Sequence, residues 1–213
     1  MSEEREIDLA GLVDHLRRTQ DARRRLVAIA GPPGAGKSTF SETLCASLNT
    51  EVPGLARILA MDGFHFDDRV LEARSQRARK GAPFTFDVGS LAVTLDRLRL
   101  DDGEEIAVPI FDRSLEIARA SADIIAPSAR MIIVEGNYLL LNEPDWVSLR
   151  TRFDVTVALD VPRHALAERL AARWRGFGLD EAAVTAKVED NDLVNADLII
   201  SRSAPAQFRI RNH

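Results

Sequence analysis

Apolar residues in this chain fall into short, nearly unbroken runs, separated by stretches where they recur every three or four positions. The runs occupy 26–30, 57–61, 131–135, 153–159 and 197–200, each short enough for a strand buried on both faces. Helical spacing fills 39–48, 90–98 and 164–174, and Leu9, Leu12, Val13 and Leu16 share one helical face ahead of the first run. Strands alternating with helices predict an α/β fold: a three-layer sandwich with a mainly parallel five-stranded sheet and helices on both faces. In such a fold, active residues belong at the carboxyl ends of the strands. No internal repeat or low-complexity tract interrupts the pattern.

The first run ends in "GPPGAGKST". Gly31, Gly36, Lys37 and Ser38 fit GxxxxGK[ST], in the strand–loop–helix context that this phosphate-loop pattern needs. Its glycines let consecutive N–H groups turn toward one anion, and the helix that follows adds its positive end. The loop Gly31, Pro32, Pro33, Gly34, Ala35, Gly36, Lys37, Ser38 and Thr39 is therefore expected to hold a nucleoside triphosphate. Lys37 would reach the outer phosphates, and the Ser38 hydroxyl would ligate the accompanying Mg2+.

A length of 213 residues, 46% of them hydrophobic and 29% charged, suits one well-buried core with room for a small insertion. Residues 1–213 are read as a single P-loop domain. The charge- and Gly/Pro-bearing stretch at about 63–110 is a substrate-side excursion in this reading, with "EEIAVPIFD" (104–112) a short strand pair leading back to the sheet. A net charge of −5 argues against a general nucleic-acid binder, and the cationic "RRTQDARRR" (17–25) reads as a solvated helix end. No run approaches the roughly 20 apolar residues of a membrane span, and "MSEEREIDLAGL" is acidic where a signal peptide would be basic and then apolar. A cytoplasmic protein without a membrane partner is expected. Cys45 is the only cysteine, which excludes an intrachain disulfide, and it reads as a small core residue.

A phosphate loop alone fits GTPase switches, motor ATPases and small-molecule kinases equally well. Two other strand ends bear on the choice. The run before "MDGFH" places Asp62 at a carboxyl end, and the run before "GNYLLL" places Glu135 at another. Carboxylates at both ends can share Mg2+ with Ser38, while one of them accepts the proton of an attacking hydroxyl. Asp62 opens the excursion, which makes it the expected base; Glu135 fits the acid that orders the metal and its waters. His65 reads as an acceptor-pocket wall or as plain packing, since its spacing from Asp62, Asp67 and Asp68 matches no closed transition-metal set. A regulatory GTPase would carry N-K-x-D, which is absent. A nucleic-acid ATPase predicts a basic groove with stacking aromatics, which the acidic balance disfavours.

"GPPGAGKST", "MDGFH", "RKGAPFTFD", "VPIFDR" and "VEGNYLL", in this order, resemble the uridine kinase, phosphoribulokinase and pantothenate kinase superfamily, most of all its fructose transport system kinase (uridine kinase-like) subgroup. The resemblance spans about 26–200. It implies an ATP- and Mg2+-dependent phosphotransferase acting on a hydroxyl of a small metabolite: a sugar such as fructose, a nucleoside or a pantothenate-like alcohol. The alternative is a P-loop switch or regulatory NTPase without such an acceptor. By the same resemblance, Asp62 stands at the acceptor-activating position. Arg79, Lys80 and Asp87 are polar members of the acceptor segment, and Asp112 and Arg113 are pocket candidates. "AERLAARWRGFGLDE" resembles a mobile lid, at about 169–185, in which Arg169 and Arg173 lie four apart and would both face the transferring phosphate. Asn195, in "NDLVNADLII", would lie near the base or ribose. Related enzymes assemble differently, so a homo-oligomer stays open.

Overall fold

A computed structural model describes residues 4–212. In chain order its elements are β1 (Arg5–Glu6), α1 (Leu9–Arg18), β2 (Arg25–Ala30), α2 (Lys37–Leu48), β3 (Ala56–Ala60), α3 (Asp68–Ala73), α4 (Val88–Leu100), β4 (Ile106–Asp112), β5 (Ile117–Ile125), β6 (Met131–Gly136), α5 (Pro144–Val147), β7 (Val155–Asp160), α6 (Arg163–Gly176), α7 (Glu181–Lys187), α8 (Leu193–Arg202) and β8 (Phe208–Arg211). Six strands form the main sheet in the order β1-β8-β7-β2-β6-β3, and every pairing in it is parallel.

The apolar runs of β2 and β6 are buried throughout because helices cover both faces of the sheet. Alternation then divides each strand between two cores. Leu26, Ala28, Ile132 and Val134 pack toward α4, with its buried Leu91, Leu95 and Leu98. Val27, Ile29, Ile133 and Val157 pack on the opposite face with Leu12 and Leu16 of α1, Leu44 and Leu48 of α2, and Leu166 and Leu170 of α6.

The structure corrects the sequence reading in three places. The run at 197–200 is no strand: it lies inside α8, where Leu193, Ala196 and Ile199 are buried at three-residue spacing and Ile200 is exposed. The sheet is completed by β8, whose "FRIR" alternates buried and exposed positions, and by the two-residue β1, giving six strands where five were expected. The stretch 104–112 supplies one strand only; β4 pairs antiparallel with β5 in a separate two-stranded sheet, with a register shift between Val108 and Ile110. Proline 109 has no N–H to give the ladder there.

Arg24 departs from the solvated reading of 17–25. Its side chain is buried, and the guanidinium donates to the carbonyls of Ala129 (2.8 Å), Leu98 (3.3 Å), Ala126 (3.3 Å) and Pro127 (3.4 Å) while pairing with Asp101 at 3.3 Å. Arg17 and Arg18 do sit in the last turn of α1, where cations suit the helix dipole. Cys45 is half-buried, with its thiol donating to the Ala56 carbonyl at 3.4 Å. Among the described residues no helix is long and apolar enough to cross a membrane.

Candidate active site

The centre of the sheet brings three chain segments to one edge. Glu135 of β6 is the ladder partner of both Ile29 of β2 and Ala60 of β3, so the phosphate loop and Asp62 leave the sheet on either side of it. Gly136, next along β6, has no room for a side chain: a Cβ there would lie 2.5 Å from Met61 Cβ. The turn carrying Asp62 is thereby held against the end of β6.

Gly34 and Gly36 have φ of 79° and 80°, a left-handed backbone that side chains disfavour, and Gly36 caps α2 without any side-chain hydrogen bond. The N–H groups of the first helical turn have no intrahelical partner and, with the helix dipole, make an anion receptor. Lys37 is buried, and its Nζ donates to the Pro32 carbonyl at 3.0 Å, which curls the loop around the ammonium group. Burial pushes the Lys37 pKa down, against the opposing charges of Glu135 and Asp62. The Ser38 hydroxyl donates to Glu135 Oε1 at 3.1 Å. Burial, reinforced by the negative charge of Asp62, pushes the Glu135 carboxyl above its ordinary range.

Asp62 lies in a short 3₁₀ turn (Met61–Phe64) directly after β3, and its Oδ2 receives Arg113 Nη2 at 3.3 Å. Two cavities meet at this pair. One, of about 350 Å³, is lined by the phosphate loop, Lys37, Ser38, Thr39 and Glu135. The other, of about 190 Å³, is walled by residues of the segment between β3 and β6 and by the stretch from Arg173 to Asn195. Pro33, Asp62, Arg113, Asn137 and Arg173 line both. A carboxylate at the mouth between a phosphate receptor and a second polar cavity is placed to meet a hydroxyl on one side and a phosphoryl group on the other.

The other predicted residues divide. His65 walls the second cavity and is also packed, its ring 3.9 Å from that of Phe86 and 4.9 Å from that of Phe111. Its Nδ1 donates to the Asp62 carbonyl at 2.8 Å, which steadies the turn, and burial lowers its pKa. Lys80 lines the cavity but is already engaged, donating to Asp68 Oδ1 at 2.6 Å and to the Glu116 carbonyl. Arg79 donates to Asn191 Oδ1 (3.0 Å) and Asn195 Oδ1 (3.4 Å), tying the excursion to α8. Asp87 caps α4 through Ser90.

Asp112 is not brought to the cleft. Its carboxylate accepts from Ser114 N (3.1 Å), Ser114 Oγ (2.7 Å), Leu115 N (3.2 Å) and Arg119 Nη1 (3.3 Å), closing the β4–β5 turn; the Ser114 hydroxyl is the main cause holding its pKa below the usual carboxylate range. Arg169 and Arg173 are also separated. Arg173 lines both cavities, whereas Arg169 donates to the Gly34 carbonyl (3.4 Å) and the Asn212 carbonyl (3.1 Å), bracing the phosphate loop against the chain after β8. Asn212 Nδ2 donates to the Ala35 carbonyl at 2.7 Å from the same side.

Several lining residues escaped the sequence reading: Arg77, Glu116, Asn137, Trp174, Lys187, Asn191 and Asp192. Asn137 stands directly after Gly136 in "VEGNYLL", and Asn191 and Asp192 open "NDLVNADLII", so the motifs contained the signal. Tyr138, beside Asn137, is fully buried and donates its hydroxyl to the Gly81 carbonyl at 2.6 Å, joining β6 to the excursion; burial drives its pKa upward.

The sequence model of the Phosphoribulokinase / Uridine kinase family matches residues 26–200. "Putative uridine kinase C227.14" of Schizosaccharomyces pombe is 31% identical over 185 residues, covering 83% of this chain and 78% of that one. "Uncharacterized protein YggC" of Escherichia coli is 34% identical over 189 residues, covering 87% and 77%. Among solved structures, the "putative fructose transport system kinase" from Silicibacter sp. TM1040 superimposes with a TM-score of 0.89 at 40% identity, covering 95% of this chain and 98% of that one. Phosphate loop, strand-end carboxylates and adjoining cavities thus occur in a chain that belongs to the phosphoribulokinase/uridine kinase family and is an ATP-binding small-molecule kinase of the P-loop type.

Proposed function

We infer that the chain moves the γ-phosphate of ATP, with Mg2+, to a hydroxyl of a small metabolite: a sugar such as fructose, a nucleoside or a pantothenate-like alcohol. The observation that carries this reading is the meeting of the two cavities at Asp62, with Lys37 and Ser38 on the phosphate side and His65 and Phe86 on the other. Asp62 takes the proton from the attacking hydroxyl as that oxygen bonds to the γ-phosphorus and the bond from the γ-phosphorus to the β,γ-bridging oxygen breaks, releasing ADP; Lys37 and Arg173 offset the charge of the transferring group. The names of two relatives, a "putative uridine kinase" and a "putative fructose transport system kinase", are the reason to try uridine and fructose first.

The residues present fit Mg2+. Ser38 Oγ and Glu135 already converge at 3.1 Å, and Asp62 acts on Glu135 as a like charge that a dication would relieve. All three offer the hard oxygen ligands that Mg2+ prefers, and would hold it directly or through water. When bound, the ion supplies charge neutralisation at the outer phosphates.

The test is ADP release from Mg-ATP against fructose and other sugars, uridine, cytidine, nicotinamide riboside, pantothenate and ribulose 5-phosphate, with the phosphorylated product confirmed. Acceptor-dependent release supports a kinase and names its substrate class. ATP binding with no response to any acceptor would favour a regulatory NTPase instead. On the active acceptor, Asp62→Asn should keep ATP binding and lose transfer by about 10²–10⁴-fold; near-normal turnover would remove Asp62 as the base.

A further inference from the structure

Asp192 lines the acceptor-side cavity from the last position of a π-helical turn (Val188–Asp192) between α7 and α8. Such turns displace one residue from the helical repeat and recur at functional sites. Its Oδ2 accepts a hydrogen bond from Trp174 Nε1 at 2.6 Å; Oδ1 has no protein donor among the described residues. Burial raises the Asp192 pKa, opposed by the Trp174 bond and by the charges of Arg173 and Lys187. A half-satisfied carboxylate facing a cavity is an acceptor in want of a donor.

Trp174 links this carboxylate to the phosphate side. Arg173 Cζ lies 5.4 Å from the Trp174 ring and Lys187 Nζ lies 5.3 Å from it, both within cation–π range. Neither cation has a carboxylate partner within ion-pair distance among the described residues. The indole, fixed at its N–H by Asp192, is one of two rings against which Arg173 rests, the other being Phe177 at 5.9 Å, and Arg173 lines both cavities.

We propose that Asp192 is a specificity-determining residue: its free oxygen accepts a hydrogen bond from a second hydroxyl of the acceptor, and its bond to Trp174 carries that contact to Arg173. The substrate class that follows is an alcohol with at least two hydroxyls, one attacked beside Asp62 and one held by Asp192. The proposal rests on the kinase reading above. In this arrangement Trp174 is a positioning residue, acting on the phosphoryl group only through Arg173.

Asp192→Asn separates the two functions of the carboxylate. The amide oxygen still accepts from Trp174, but an NH2 donor now faces the cavity where an acceptor stood. With D-fructose, uridine and pantothenate as probes, the variant should raise the KM for the active acceptor about tenfold or more, with the KM for ATP within about twofold of wild type. Trp174→Phe keeps a ring but removes the N–H; it should lower kcat more than it raises the acceptor KM. Acceptor titration should also change tryptophan emission in the wild type, and the change should vanish in Trp174→Phe and weaken in Asp192→Asn. Unchanged acceptor KM in Asp192→Asn, with transfer persisting, overturns the role of Asp192 and leaves the kinase reading intact. Unchanged kcat and emission response in Trp174→Phe overturns the link to Arg173. Absence of acceptor-dependent ADP release in the wild type across the whole acceptor panel given above overturns the proposed phosphotransfer, and this inference with it.

Discussion

Glu135 holds its carboxyl in a place that disfavours charge. The carboxyl is only 8% exposed, and burial together with Asp62 raises its pKa. A carboxyl whose folded pKa lies above the unfolded one stabilises the fold below the unfolded value, and that contribution is lost as pH rises through the folded pKa. As pH rises above the unfolded value, the cost of charging this side chain therefore weighs increasingly against the fold. Glu135→Gln should melt at a higher temperature than wild type at pH 7.5, with the gap closing as pH falls toward the carboxylate range. The same variant should lose Mg-ATP turnover, since an amide is a poorer ligand for a hard dication. The positions of Asp62 and Glu135 were legible in the sequence because each follows or ends an apolar run, where strand geometry dictates position, and those of Lys37 and Ser38 because the glycine spacing of the loop fixes where α2 begins. Asp112 and Arg169 were not, because their places are set by hydrogen bonds: Asp112 to its own turn, and Arg169 to Gly34 and Asn212, far apart in sequence.

At the scale of elements, α6 shows how one helix serves two purposes from neighbouring turns. Arg173 borders both cavities, while Arg169 four residues earlier holds the loop backbone. Arg173→Ala should cut kcat on the order of 10³-fold with a smaller change in ATP affinity. Arg169→Ala should act chiefly on the KM for ATP, because it loosens the loop and makes no contact with the transferred group. Equal effects on kcat from the two variants, in steady-state assays over ATP and acceptor, would restore the reading in which both arginines face the phosphate. The mistaken strand at 197–200 has a related lesson. Four apolar residues in a row cannot be told from a buried helical turn by periodicity, and no Gly or Pro breaks the chain between Asp180 and that run. The strand that the chain does add, "FRIR" between β1 and β7, is short and half polar because only one row of its side chains meets the core. Arg24 was equally hidden: read among arginines as solvated, it is the clasp between the start of β2, the end of α4 and the turn after β5. Arg24→Ala leaves four carbonyls and Asp101 short of a donor and should cost about 3 kcal/mol in urea unfolding.

At the scale of the molecule, the parallel sheet leaves its functional edge incomplete without ligand. Gly36 and the first turn of α2 present donors with no protein partner among the described residues, Lys37 turns back on its own loop, and Glu135 and Asp62 repel each other. Mg-ATP would answer all three conditions at once: phosphate oxygens for the N–H groups and the ammonium group, a dication for the carboxylates. The ligand-free fold should therefore gain substantially from binding. At a ligand concentration of 100 times Kd, linkage gives about 2.7 kcal/mol. With about 2–4 °C per kcal/mol for a chain of this size, Mg-ATP should raise the melting temperature by about 5–10 °C. Lys37→Ala should abolish that rise, because the loop loses the cation that would reach the outer phosphates. Asp62→Asn should keep most of it, because a base at this position would act on the acceptor and leave the donor site assembled. A thermal-shift series over Mg-ATP concentration on the three proteins distinguishes these outcomes: a Lys37→Ala protein that still gains 5–10 °C would mean that the nucleotide is held away from the loop, and an Asp62→Asn protein that gains nothing would make Asp62 a metal ligand before it is a base.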